Sequence, residues 1–328
     1  MVESIFVRTL EKYELVKRKD KLILGVSAGP DSVFMLYQFL RLKQEYKLYL
    51  VCVHFNHSLR QEADSEQEFI KELCVKFKVK FISEKKDVNN FFKGDSLEQT
   101  ARNLRFDFFL KISRQLKIKK IALAHHEDDL VETILMRLIR GSGLKGLRGF
   151  LPKSKFKSLT IIRPLIEIRK KEIFEWLGQE KVSFCTDKSN FEEKFLRNRV
   201  RLKLIPLLEE LNPGINANLH NLARNISLDY DFIYTFSYRK FLALRRKETK
   251  QSVYLDLKDL KELPEAIFNN VLIIAIESVK GDTRRIETKH LTEIKDLVYI
   301  RPSQSIVDLP LLTVKKDEKN LLIQSLIL

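Results

Sequence analysis

The feature that most limits the fold of this chain is an alternation in its first half. Short apolar, β-branched runs recur at Leu22–Val26, Leu48–His54, Val79–Ser83, Ile121–Ala124 and Thr160–Ile162. Between them the apolar spacing is helical, over Ser32–Tyr46, Glu62–Phe77, Leu97–Leu116 and Asp129–Arg140. Strands that are apolar throughout, separated by helices, imply a parallel sheet covered on both faces. Right-handed crossovers then make it a doubly wound α/β domain. Such a domain binds ligands beyond the carboxyl ends of its strands.

After Pro164 the pattern turns helical, most clearly at Arg169–Gly178 and Phe191–Glu210. The second run stops near Asn212-Pro213-Gly214, which predicts a boundary between domains 1–214 and 215–328. Residues 215 to about 300 read as mainly helical. Short strands are expected at Ser305–Leu309, Leu312–Val314 and Leu321–Ile323, around a Lys-Asp-Glu-Lys-Asn turn.

Between Leu22–Val26 and the helix that follows lies Ser27-Ala28-Gly29-Pro30-Asp31-Ser32. A strand, a small-residue loop and a helix N-terminus make an anion site, because backbone N–H groups converge and the helix dipole adds positive potential. Ser27 and Ser32 add hydroxyl donors. The loop has neither the Lys of a Walker A motif nor GxGxxG. Asp31 beside phosphates implies an intervening cation, Mg²⁺. A plain N-cap is the alternative for Asp31 or Ser32.

Charge adds a second pointer. The net charge is +16, and residues 101–200 hold 23 Lys and Arg against 12 Asp and Glu. Such a surface attracts nucleic-acid phosphates, although a solvated basic face explains the charge equally well. Three cysteines without a CxxC give zinc ribbons and iron–sulfur clusters no obvious ligands. Free thiols, no visible secretory signal and no apolar run long enough for a bilayer lead to the expectation of a cytoplasmic protein away from membranes.

The loop resembles the Ser-Gly-Gly-x-Asp-Ser signature of the PP-loop, or N-type ATP pyrophosphatase, superfamily, whose fold is adenine nucleotide α-hydrolase-like. Ala28 stands at the family's first Gly, a small change unless that residue needs positive φ. Within the superfamily the chain resembles the tRNA(Ile)-lysidine synthetases. Val53-His54-Phe55-Asn56-His57-Ser58-Leu59-Arg60 is similar to their V-H-x-x-H-x-L-R. Glu98–Arg105 is similar to E-x-x-A-R-x-x-R, with Arg102 and Arg105 on one helical face. Ala124–Thr133 is similar to A-H-x-x-D-D-Q-x-E-T, with Leu130 at the Gln. Arg140–Leu147 is similar to R-G-x-G-x-x-G-L, and Arg163-Pro164-Leu165 with Arg169–Ile173 to R-P-L…R-x-E-I. Asp187–Asn190 followed by Arg197–Arg201 is similar to D-x-S-N…R-N-x-[IV]-R.

The resemblance implies a ligase that consumes ATP and Mg²⁺. It would adenylate O2 of the wobble cytidine in a CAU-anticodon isoleucine tRNA, then join free L-lysine to C2, releasing AMP and changing the codon read from AUG to AUA. It implies that Ser27, Ala28, Gly29, Pro30, Asp31, Ser32, His54, Arg102 and His125 bind ATP, with Asp31 at the metal. Asp31, Arg105, Asp129 and Glu132 would be catalytic, the last two toward the lysine amine. Arg140, Lys145, Arg197 and Arg201 would face tRNA. A thiolase-like PP-loop enzyme and a non-catalytic RNA-binding protein are the alternatives. The oligomeric state stays open, a homodimer included.

Overall fold

The computed structural model describes residues 2–58, 62–92, 94, 96–186 and 196–326. The expected segments Leu59-Arg60 and Asp187–Asn190 lie outside them. The chain divides into two compact units, Met1–Arg224 and Asn225–Leu328.

The first unit holds a six-stranded sheet in the order β3-β2-β1-β4-β6-β5. Its strands are β1 (Lys21–Gly25), β2 (Tyr49–Asn56), β3 (Lys80–Lys85), β4 (Lys120–Leu123), β5 (Lys153–Phe156) and β6 (Leu159–Ile162). All neighbours pair in parallel except the β5–β6 hairpin. The helices are α1 (Val2–Lys12), α2 (Pro30–Leu42), α3 (Ala63–Lys76), α4 (Leu97–Leu116), α5 (Glu127–Ile139), α6 (Leu144–Leu147), α7 (Lys170–Gln179), α8 (Leu196–Arg199) and α9 (Ile205–Leu211). Neither α1 nor β5 was expected from the sequence. The polar run Lys153-Ser154-Lys155-Phe156 becomes a strand only by pairing at the sheet edge with β6.

Side chains alternate across β1, and each face gains its own core. Leu22 and Leu24 pack with Phe6, Phe34, Phe39, Ile70 and Trp176 from α1, α2, α3 and α7. Ile23 packs on the other face with Val51, Ile121 and the α4 side chains Phe106, Phe109 and Ile112. Each fully buried Phe or Leu contributes roughly 1.5–3 kcal/mol. Because β1 lies between β2 and β4, successive crossovers leave it in opposite directions. The crevice at the carboxyl ends of β1 and β4 is therefore the switch point where ligands bind in such sheets.

The second unit is built on α10 (Ile215–Leu244) from Asn225 onward, with α11 (Leu257–Lys261), α12 (Glu265–Lys280) and α13 (Thr288–Tyr299). Its antiparallel sheet runs β7-β8-β11-β10-β9, with β7 (Arg245–Glu248), β8 (Ser252–Asp256), β9 (Ile306–Leu309), β10 (Leu312–Lys316) and β11 (Asn320–Ser325). The last three strands match the expectation. The β7–β8 hairpin corrects the helical reading of that stretch. Val253 and Leu255 alternate inward onto the core while Tyr254 is only partly covered. The run is too short for its period to show in a mainly helical neighbourhood. Among the described residues no helix is long and apolar enough to cross a membrane.

The glycine-rich segment after α5 is tied down from α5 itself. Arg137 Nη1 donates to the carbonyls of Gly146 (2.6 Å) and Gly149 (2.7 Å). Gly149 has φ +65°, and an added Cβ would lie 2.2 Å from Leu130 Cδ1. Leu130 is itself buried. Gly149→Ala is expected to destabilise the protein by about 2 kcal/mol, from positive-φ strain and overpacking. Urea unfolding checks this; an unchanged midpoint would contradict the seating of this loop on α5.

Candidate active site

Gly25 ends β1 and Ser27–Ser32 carries the chain into α2. Ser27 N donates to Ser32 Oγ (3.1 Å), and Ser32 Oγ donates to Gly29 O (2.9 Å). The loop is thus closed on itself before any anion arrives. Ala28 has φ +66° and is fully buried. That conformation costs an L-residue about 1 kcal/mol or more and explains a preference for Gly at this position. The Cys185 N–H donates to Ala28 O (3.0 Å) and helps hold the turn.

The loop opens into a pocket of about 720 Å³. Ser27, Gly29, Asp31, Ser32, His54, Arg105 and His125 all line it, together with Asn56 and Phe109. Six of the expected ATP residues, Ser27, Gly29, Asp31, Ser32, His54 and His125, are thus gathered from the ends of β1, β2 and β4 and the start of α2, and Arg105, expected as catalytic, joins them from α4. Ala28, Pro30 and Arg102 are not among the lining residues. Arg102 instead lies over the Phe106 ring at 4.9 Å.

His54 is buried, and its Nδ1 is 2.9 Å from Val26 O. Burial lowers its pKa, so the ring is neutral at pH 7. Nδ1–H donates to the carbonyl, which leaves Nε2 as an acceptor. Burial lowers His125 much further, to about 3, with Arg163, Arg105 and Arg197 adding to the effect against Asp129. The His125 ring rests on Phe150 (centroids 5.2 Å), and Arg163 lies over the same Phe150 ring at 5.2 Å. Buried Arg163, whose Nη1 donates to Leu151 O (2.6 Å), is an addition to the expected set. Burial and the like charge of Arg102 bring Arg105 and Arg163 down to about 10. Arg105 Nε, Arg163 Nε and His125 Nδ1 are buried without a hydrogen-bond partner. They are donors or acceptors available to a ligand.

Asp31 and Asp129 are linked through a residue the sequence reading did not single out, His126. Its Nε2 lies 3.7 Å from Asp31 Oδ2 and 3.5 Å from Asp129 Oδ2, and its Nδ1 lies 3.3 Å from Asp128 Oδ2. Burial would lower His126, but Asp129, Asp128 and Asp31 outweigh it and raise the ring above its ordinary value. Burial raises Asp31 despite the opposing charge of His126. Asp31 Oδ1 is buried with no partner. The backbone of His126 caps α5 by donating to Asp129 Oδ2 (3.1 Å), and Asp128 accepts from Lys170 N (2.7 Å). The paired histidines at 125 and 126 were the available signal. A chain leaving a strand turns successive side chains to opposite sides.

Asp129 and Glu132 meet the two arginines expected at tRNA. Arg197 donates to Asp129 Oδ1 through Nη2 (2.5 Å) and to Glu132 Oε2 through Nε (2.6 Å). Arg201 Nε donates to Glu132 Oε1 (2.5 Å). A π-helical turn at Val200–Leu204, between α8 and α9, carries Arg201. Glu132 is 1% exposed. Against the cost of burial, His126 and Arg197 hold Asp129 down to about 2. Arg140 and Lys145 are exposed on and after the end of α5. Among the described residues no three His, Cys, Asp or Glu side chains form a metal nest.

Two measurements test this geometry. Removing one partner of a buried ion pair strands the other, so Arg201→Met should cost about 3 kcal/mol. Adding Glu132→Gln should recover part of it; an Arg201→Met variant as stable as the parent would contradict the network. His125 has a folded pKa of about 3 against an ordinary 6.5. As pH falls below about 6.5 the unfolded chain takes up a proton that the folded chain refuses. His125 should therefore lower stability by up to about 1.4 kcal/mol per pH unit. The stability of His125→Gln minus that of the parent should therefore rise steadily from pH 7 to pH 4. A difference independent of pH would show that His125 is not buried neutral.

The chain is similar in sequence to curated tRNA(Ile)-lysidine synthases. It is 35% identical to that of Clostridium tetani over 90% of this chain and 63% of the relative. It is 32% identical to that of Caldanaerobacter subterraneus over 94% of this chain and 66% of the relative. The chain therefore spans less than two thirds of the length of these relatives. Among solved structures, the U34-tRNA thiolase NcsA from Methanococcus maripaludis superposes with a TM-score of 0.58 at 18% identity, covering 69% of this chain and 78% of that one. That likeness is one of fold. The family described as the PP-loop domain matches residues 2–208. With its loop at Ser27–Ser32 seated at the switch point of a parallel sheet, this chain belongs to the PP-loop family.

Proposed function

We propose that this protein ligates lysine to C2 of the wobble cytidine in a CAU-anticodon isoleucine tRNA, by way of an O2-adenylated cytidine. The observation that carries the reading is a phosphate loop without Lys whose Asp31 presents a buried, unpartnered oxygen to the pocket. Loops that transfer the γ-phosphoryl grip it with Lys. A loop that only holds departing pyrophosphate needs backbone donors, hydroxyls and a metal-directed carboxylate. The names and matched extent of the relatives support the same reading.

Asp31 fits Mg²⁺, because that ion takes one or two carboxylates and completes its shell with phosphates and water. When bound, it would offset charge on the phosphates. The protein's own groups do the rest. Ser27, Ser32 and the backbone of the loop hold the β and γ phosphates. Neutral His54 offers Nε2 to an exocyclic amine such as that of adenine. Arg105, with an unpartnered Nε, stabilises charge developing on the α-phosphate. Cytidine O2 attacks that phosphorus and pyrophosphate leaves. The lysine ε-amine, as the free base, then attacks C2; AMP departs with O2, and a proton is lost from nitrogen.

Asp129 and Glu132 serve the lysine amine in this reading. They are held by Arg197 and Arg201. An arriving tRNA phosphate competes for those arginines and would release the carboxylates to the ammonium. Arg140 and Lys145 are exposed and meet the tRNA backbone, and the unit Asn225–Leu328 contributes to tRNA recognition. A cytoplasmic location belongs to the same reading. A thiolase-like reading has less support, since Cys52 and Cys74 are buried in the core and Cys185 stands apart from them in the sequence.

If the nucleic acid is what becomes adenylated, pyrophosphate–ATP exchange requires the CAU tRNA and does not appear with lysine alone. Asp31→Asn should lower that exchange by at least about a thousandfold, while leaving the melting temperature nearly unchanged. Strong exchange with lysine and no tRNA would instead mark an enzyme that activates amino acids.

A further inference from the structure

Two histidines of the pocket are held in different ways. His54 is fixed by the Val26 carbonyl (2.9 Å), whereas His125 Nδ1 is buried without a hydrogen-bond partner. Yet the His125 ring lines the pocket, just beyond β4. It rests on Phe150, at 5.2 Å between centroids and 44° between planes. The outer torsion of a histidine has broad minima, so packing on this aromatic face sets the angle of the ring.

Phe150 is itself held from both flanks. On one side Arg137 of α5 donates to the carbonyl of Gly149 (2.7 Å). On the other, Arg163, just past β6, donates through Nη1 to the carbonyl of Leu151 (2.6 Å) and to Ser154 Oγ (3.0 Å). The Arg163 N–H also donates to Pro152 O (2.8 Å). Two guanidiniums thus pin the backbone around one ring. Leu130, Ile134 and Ile166 pack with that ring. Arg163 lies over its face at 5.2 Å, where a cation is attracted. Arg163 is only 6% exposed. Burying a charge is costly, and a neutral donor would tie the hairpin at a lower cost. A flat cation also fixes the plane of the ring beneath it.

We infer that Phe150 and Arg163 are positioning residues for His125. Arg163 fixes the plane of Phe150, and Phe150 sets the angle at which the His125 ring meets the ligand in the pocket. The ligand is ATP if the adenylation reading above holds; the order of the ring does not rest on that reading. Neither residue needs to touch the nucleotide. Both remove freedom from a ring whose nitrogens have to point one way, and small errors of that kind cost rate.

Two measurements on the full chain test this. The first is NMR relaxation of the histidine ring carbons, with the His125 signals identified by their loss in His125→Gln. Phe150→Leu keeps an apolar side chain without the flat face, and should lower the order of the His125 ring while leaving His54 unchanged. Phe150→Tyr should keep it ordered. Should Arg163→Gln fold, it should act as Phe150→Leu does. The second is kcat/KM for ATP in tRNA-dependent pyrophosphate exchange. Phe150→Leu should lower it about tenfold, and Phe150→Tyr should stay within about twofold of the parent. In a His125→Gln chain, Phe150→Leu should cost no further rate, because its effect passes through the ring already removed. An ordered His125 ring in Phe150→Leu would overturn the inference. So would a tenfold loss that persists in full in the His125→Gln chain. A parent without exchange whose His125 ring still loosens in Phe150→Leu would sink the adenylation reading and leave the positioning role in place.

Discussion

The site depends on the burial of negative charge beside a loop meant for phosphates. Asp31, Asp129 and Glu132 are tied together in space by His126 and by two arginines of a later helical segment. Three carboxylates so close to an anion site would repel each other and the ligand. The compensation is explicit: the carboxylates around His126 raise its pKa against burial, and Arg197 spans Asp129 and Glu132. This fixes the start of α5, because Asp129 also accepts from the His126 backbone. It also fixes where the chain must return after Cys185, since Arg197 and Arg201 have to arrive on the same carboxylates.

The two neighbouring histidines show how burial separates chemically identical groups. His125 lies among arginines and an aromatic ring and is neutral far below physiological pH. His126 lies among carboxylates and is shifted the other way. One ring can therefore accept or donate a neutral hydrogen bond in the pocket, while the other takes up a proton more readily and lies 3.7 Å from Asp31. A chain emerging from β4 delivers both at once because consecutive residues point to opposite sides.

Much of this was legible in the sequence because it rests on local pattern. The apolar runs located β1, β2, β3, β4 and β6, and the small-residue loop at Ser27–Ser32 located the anion site. What stayed hidden was set by tertiary contact. The polar strand β5 exists only through its pairing with β6. The β7–β8 hairpin sat unseen in a mainly helical stretch. An i,i+4 pair such as Arg197 and Arg201 looks like a solvated face until the fold shows two carboxylates opposite it. Ala28 looked like a neutral replacement for Gly, and only the backbone reveals its positive φ. Phe150, which helps set the surroundings of His125, carries no spacing signal at all, and Arg163 was legible only as a member of the Arg-Pro-Leu motif.

The central claim is that the loop at Ser27–Ser32 holds pyrophosphate as a leaving group. The most direct test is the fate of ATP labelled at the α-phosphate, incubated with the protein, Mg²⁺, lysine and CAU-anticodon isoleucine tRNA. The account predicts that all label leaving ATP appears in AMP, in step with lysine joined to the tRNA. Label accumulating in ADP would contradict it, since the bond broken would then lie between the β and γ phosphates.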